Sequence, residues 1–302
     1  MENITNMTVE QTNRALARKR TREKVGKILA NVFIYLMLLL MYAPLIYIVV
    51  FSFTKHKVLG VWNDFSLANY KALFDIARNR DSKELWSAVG NTFLVAILSA
   101  LFATILGTLG AIGIFYTRKK WIRNTLEYVN QVPIVNAEIV TAISLCILFV
   151  IAADKLGMQR NLFTVVIGHV VLSIPYVVLS VKPKLEQMDP SVYEAAMDLG
   201  ATQTQALWKV VVPDIVPGIL SGFLLSITLS LDDYVITAFT KPTTGGFETL
   251  STYVDNKVVK GGVPIQLRAF TAILFAVILI VMIVMNIKGN MSAKKLLKKE
   301  KN

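Results

Sequence analysis

Six apolar runs, at about residues 28–53, 88–117, 132–153, 161–181, 215–240 and 269–287, divide this chain and set the solvent it must fold in. A bilayer core of about 30 Å takes roughly 20 apolar residues as a helix, and each run is of that order. The expected fold is an all-α membrane protein with six transmembrane helices. Composition agrees, with 54% hydrophobic residues, only 17% charged and a mean hydropathy of +0.55.

An even number of spans places both termini on one side, and the Lys and Arg residues indicate which. With the termini inside, the inner segments carry 20 of the 32 basic residues, and half of the other 12 sit in the long first loop, 54–87. Both termini are therefore expected in the cytoplasm, as a basic tail over 1–27 and another over 288–302, flanking a membrane domain over 28–287. The first run is too long for the core of a signal peptide and reads as an uncleaved span. Sequons at Asn3, Asn6 and Asn290 then fall on the cytoplasmic side and are chance matches.

The net charge of +12 gathers at the ends and in short polar gaps. No basic stripe is interleaved with aromatics, so anionic lipid is a better partner for it than nucleic acid. A single cysteine, Cys146, excludes an internal disulfide and a paired-cysteine metal site. No phosphate-binding GxxxxGK[ST] loop occurs, so any ATP and Mg would be bound by a partner subunit. No catalytic constellation is present, and neither an enzyme activity nor a bound cofactor is expected. Gly107, Gly110 and Gly113, spaced by three inside an apolar helix, suit close helix packing. The first three spans do not match the last three as an inverted repeat, which speaks against an ion-driven carrier.

Ionisable groups at bilayer depth cost about 2.5–3.5 kcal/mol each on insertion scales, so each is a functional candidate. They are Glu138, His169, Asp232 and Asp233. On the fifth span Gly222, Ser226, Ser230, Asp233, Thr237 and Thr240 follow helical spacing and predict one polar stripe with Asp233 aligned on it. Asp232 is rotated by about 100° from that face. On the fourth span His169, Ser173, Tyr176 and Ser180 form a second stripe, with Pro175 expected to kink the helix. Glu138 precedes Thr141 by one turn on the third. Such faces either line a path whose carboxylates favour a cation or hold the bundle by hydrogen bonds. The first reading names Asp233, Glu138, Asp232, Tyr176 and Ser226 as path residues.

Between the fourth and fifth spans lies "DPSVYEAAMDLGATQTQALWKVVVP", which predicts two short helices. Asp189 with Pro190 opens the first and Gly200 stops it; Thr202 opens the second and Pro213 ends it. Ala195, Ala196, Leu199, Ala201 and Leu207 put more apolar surface on this loop than a solitary loop needs.

The spacing from Glu194, Ala195 and Ala196 through Gly200 to Val210, Val212 and Pro213 resembles the EAA loop of ABC importer permeases, with Val at the two positions where that pattern has Ile and Leu. "YAPLIYIVVFSF", "AEIVTAISLCILF", "IPYVVLSVKPKLEQMDP" and "LLSITLSLDDYVITAFT" extend the resemblance over residues 36–287, toward the PotC-type permeases of spermidine/putrescine importers. The resemblance implies a type I importer fold with its core at about 86–287 and a cytoplasmic coupling loop at 189–213. There Glu194, Ala195, Ala196, Asp198, Gly200 and Pro213 would meet the ATPase. It further implies a multi-pass protein of a bacterial cell membrane, with two copies of an ATPase, a second PotB-like permease and an extracellular polyamine-binding protein as partners. The rivals are the same architecture serving a metal chelate or an amino acid, an ion-driven carrier, and a non-transporting scaffold.

Overall fold

A computed structural model describes residues 9–299 apart from positions 57, 59, 63 and 158. Among these residues every regular element is helical: α1 (Val9–Phe51), α2 (Ala68–Phe74), α3 (Arg80–Tyr116), α4 (Lys120–Val135), α5 (Glu138–Leu156), α6 (Leu162–Gln187), α7 (Pro190–Asp198), α8 (Gln203–Ala206), a π-helical turn (Leu207–Val211), α9 (Val212–Asp232), α10 (Val235–Thr240), α11 (Leu250–Gly261) and α12 (Ile265–Lys299). Five of the described helical stretches are long and apolar enough to cross a membrane, and a bent pair makes a sixth. Asn3 and Asn6 lie outside the described residues.

The chain separates into two units, one made of its ends, through Asp75 and from Val263, and one of residues 76–262. In the first unit, α1 and α12 carry the first and last apolar runs, and most of their apolar side chains are exposed, as lipid-facing surfaces are. The helix-favouring basic leader continues α1 without a break from Val9. Arg268, buried at the start of α12, donates from Nε to the Val263 carbonyl at 3.1 Å and from Nη1 to that of His56 at 3.0 Å. Asn69 ties α2 down by donating to the carbonyls of Ser52 and Thr54, both at 2.8 Å.

The second unit is built on α3, α6 and α9, which pack on one another through Ala103, Ala111, Val177, Val181, Val211 and Ile215. Gly107 makes this closeness feasible, because a Cβ there would lie 2.6 Å from Cβ of Val177. Gly110 and Gly113 do not share the role: a Cβ at Gly110 would sit 3.8 Å from Val178, and at Gly113 would meet nothing within 4 Å. A smaller cluster of Ala142, Leu145, Phe149, Leu172 and Ile236 seats α5 and α10 against α6.

Two expected spans are broken. The third does not run straight from 132: α4 ends at Val135, Asn136 and Ala137 are extended, and α5 leaves at 103° to α4. Asn136 is a poor interior helix residue because its side chain competes for local polar groups, and here it donates to Thr141 Oγ1 at 3.4 Å. The fifth span stops at Asp232, with Asp233 extended and α10 starting afresh at Val235, so its polar stripe is not one continuous helical face. Pro175 lies inside α6, which remains one helix.

Candidate functional site

Two regions of the second unit combine the sequence candidates: the loop between α6 and α9, and the break after α9.

The loop is a capped hairpin. Asp189 Oδ1 accepts the Ser191 amide at 2.9 Å and opens α7; this hydrogen bond holds its carboxyl below the ordinary aspartate range. At the other end Gly200 has φ +87°, its amide donates to Met197 at 2.9 Å and that of Ala201 to Ala196 at 3.1 Å, which is a Schellman stop. Thr202 and Gln205 then exchange hydrogen bonds as a capping box, 3.3 Å from the Gln205 amide to Thr202 Oγ1 and 3.0 Å from the Thr202 amide to Gln205 Oε1.

The second loop helix does not end at Pro213. Proline has no N–H and its ring crowds the carbonyl four residues back, and the chain answers by widening into the π turn at Leu207–Val211, where the Val212 amide reaches Leu207. α8 thereby runs into α9 as a single rod. Glu194, Ala195, Asp198, Gly200 and Pro213 are exposed, Ala196 is half-buried, and Leu199 is 90% exposed. Leu207 turns inward with Tyr193 onto the core and so does not add to the exposed apolar surface expected of the loop. Beside the hairpin lies a groove of ≈540 Å³ lined by Met188, Val192, Val210, Pro213 and two aspartates, Asp189 and Asp214.

At the break, Asp233 is almost fully enclosed. Its Oδ1 accepts the Ile236 amide at 3.0 Å, and Oδ2 accepts the Thr237 amide and hydroxyl, each at 2.9 Å, so the carboxylate caps α10. His169 of α6 stands over it, with Nε2 2.9 Å from Thr237 Oγ1 and 3.3 Å from Asp233 Oδ2, and Nδ1 2.7 Å from Ser230 Oγ. Ser99 Oγ of α3 lies 3.3 Å from Ser230 Oγ, with its hydroxyl donating to the Val95 carbonyl at 2.7 Å. Glu138, at the first turn of α5, is exposed, with Asp233 and the exposed Asp232 as its acidic neighbours.

Glu138 thus has both Asp233 and Asp232 as neighbours. Tyr176 and Ser226 do not join them: each lies seven residues toward the hairpin, about 10 Å along its helix from His169 and Asp233 respectively. Ser226 is buried and donates to the Gly222 carbonyl at 2.9 Å, while Tyr176 is half-buried. Asp233 and Thr237 carried a local signal, since an Asp followed three and four residues later by free amides is a helix cap. Ser99, in an otherwise apolar run, carried none. Among the described residues no three or more His, Cys, Asp or Glu side chains gather in a metal-holding group.

The model of the family described as binding-protein-dependent transport system inner membrane component matches residues 103–296. The chain belongs to this family. The match spans the hairpin and every residue of the polar cluster except Ser99. This inner membrane component is 32% identical over 262 residues to the spermidine/putrescine transport system permease protein PotC of Escherichia coli, covering 86% of this chain and 93% of the relative. It is 36% identical over 201 residues to the putrescine transport system permease protein PotI of the same organism, covering 66% and 69%. In fold it is similar to a chain of a bacterial ABC transporter involved in the import of the acidic polysaccharide alginate, with a TM-score of 0.59 at 17% identity over 88% of this chain and 96% of the other. It is a multi-pass membrane permease subunit of an ABC importer and not an enzyme.

Proposed function

We propose that the permease imports polyamines, forming half of a translocation path with a second, PotB-like permease and taking its drive from two copies of an ATPase docked on the α7–α8 hairpin. An extracellular polyamine-binding protein delivers the cargo, and both termini and the hairpin face the cytoplasm, in accord with the basic residues of the inner segments. The membrane domain over 28–287, with its core from about 86, carries the path, and the coupling loop occupies 189–213.

One observation carries this reading: the hairpin and the acidic cluster are opposite ends of the same two helices. α6 enters the hairpin through Gln187, and the α8–α9 rod leaves it toward Asp232. His169 lies about 27 Å from the hairpin end of α6, and Asp232 about 30 Å from the start of α9. A push on the hairpin therefore moves the helices that hold the acids, which is how a rigid two-state lever works. At the cluster Glu138 has Asp233 and Asp232 as acidic neighbours, and a protonated amine would relieve their repulsion through charge-assisted hydrogen bonds. Glu138 and Asp232, which have exposed surface, would contact the amine; Asp233 would act from behind them.

The test is ATP hydrolysis by the purified complex, measured with its binding protein loaded in turn with spermidine, putrescine, an amino acid or a metal chelate. Stimulation by a polyamine is expected. Stimulation confined to another solute would replace the cargo, and a purified permease that never retains an ATPase would remove the coupling role.

A further inference from the structure

We infer that His169 is a positioning residue for transport, held as the neutral Nε2–H tautomer within a one-way hydrogen-bond chain that fixes the Asp233 carboxylate at the break in the fifth span. This rests on the acid-lined path proposed above.

The direction of the chain follows from its acidic end. Both Asp233 oxygens already accept backbone amides, Oδ1 from Ile236 and Oδ2 from Thr237, so at the 2.9 Å contact with Oδ2 the Thr237 hydroxyl is the donor. Having used its only hydrogen, Thr237 Oγ1 can meet His169 Nε2 at 2.9 Å only as an acceptor, which puts the ring proton on Nε2. The neutral ring then offers Nδ1 as an acceptor, and Ser230 Oγ donates to it at 2.7 Å. Ser99 Oγ lies 3.3 Å from Ser230 Oγ, but its hydroxyl donates to the Val95 carbonyl at 2.7 Å, so the chain begins at Ser230. An imidazolium would turn Nδ1 into a donor and take from the Ser230 hydroxyl the acceptor it has here, inside a site where His169 is 1% exposed and Ser230 4%.

The chain thus passes from Ser230 of α9 through His169 of α6 and Thr237 of α10 to Asp233. Its effect on Asp233 is geometric. Both carboxylate oxygens are engaged from the protein side, which fixes the edge presented toward Glu138. Without the imidazole, Thr237 and Ser230 each lose a buried partner and the carboxylate gains freedom to turn. His169 would then touch no substrate, yet decide where the negative charge behind Glu138 and Asp232 sits.

Two measurements test this. The full chain has two histidines, so a His56→Gln variant in lipid nanodiscs, labelled with ¹⁵N-histidine, reports one imidazole. At neutral pH a protonated Nε2 with an unprotonated Nδ1 is expected; the opposite tautomer, or two protonated nitrogens, would overturn the inference. In the reconstituted complex, His169→Leu is expected to lower polyamine taken up per ATP hydrolysed by about tenfold, the scale of leaving a buried hydroxyl without its partner. A cycle with Asp233→Asn supplies the control: the double variant should transport no worse than Asp233→Asn alone. Losses that multiply, or uptake and hydrolysis falling in the same proportion, would show His169 acting elsewhere or only holding the fold. A wild-type complex that moves no polyamine contradicts the proposed cargo instead, because the tautomer measurement needs none.

Discussion

The α7–α8 hairpin and the Asp233 cluster sit at opposite ends of α6 and α9 and solve opposite problems. The hairpin shows apolar surface to water, with Leu199 90% and Trp208 58% exposed, while its hydrogen bonds are satisfied within a few residues of sequence. The cluster hides polar groups, and its bonds join residues 61 and 68 positions apart. A locally closed motif stays intact when pushed as a body, so it suits a transmitting contact. A cluster assembled from four helices changes when any of them shifts, so it suits the place where movement becomes passage of a charge.

That contrast can be broken at either end. The largest effect is expected from Gly200→Val: a β-branched residue at φ +87° costs at least about 1–2 kcal/mol and removes the Schellman stop. Pull-down of the ATPase with the permease and polyamine uptake should both be lost. Leu199→Glu should come next, lowering uptake by about tenfold through the dock alone, while the thermal midpoint of the permease hardly moves because surface changes stay within about ±0.5 kcal/mol. Gly107→Val, which forces side-chain atoms into Val177, should destabilise by about 1–3 kcal/mol, seen as a lower denaturation midpoint with ATPase retention kept.

The smallest effect is expected where neither region is touched. Lys257 on α11 meets Asp81 at 2.7 Å and Glu84 at 2.9 Å. Burial alone would depress its pKa, but these hydrogen bonds prevail and hold it above the ordinary lysine range. A raised pKa means the contribution is fully present below the unfolded value and fades only as pH rises through the folded one, so it is constant around neutrality. The groups are part-exposed, so Lys257→Met should cost no more than about 1 kcal/mol in a denaturation experiment and leave coupling unchanged.

How far each region could be read from sequence follows from the same contrast. Asp189, Gly200 and Thr202 each act on amides within five positions, so their types and spacing specified the hairpin before any packing was known. Pro213 misled because a proline near a loop end reads as a stop, whereas the π turn accommodates it and lets α8 continue into α9. At the cluster, spacings of three and four from Ser226 to Thr240 predicted one unbroken face. Asp233 instead turns its side chain onto the amides beyond it, and burial under His169 makes that choice stable. The right angle before Glu138 was hidden for a related reason, since an apolar run across Asn136 has the length of a span whether or not it is straight.

In the proposed function, hairpin and acids are two ends of one device with separable roles. Uptake per ATP hydrolysed, measured in proteoliposomes containing the complete complex with Glu138→Gln and Asp232→Asn combined, tests it most directly. Hydrolysis is expected to remain stimulated by the loaded binding protein while polyamine uptake falls at least tenfold, roughly the loss of one charge-assisted hydrogen bond. Uptake at the wild-type ratio, or hydrolysis lost together with uptake, would contradict it.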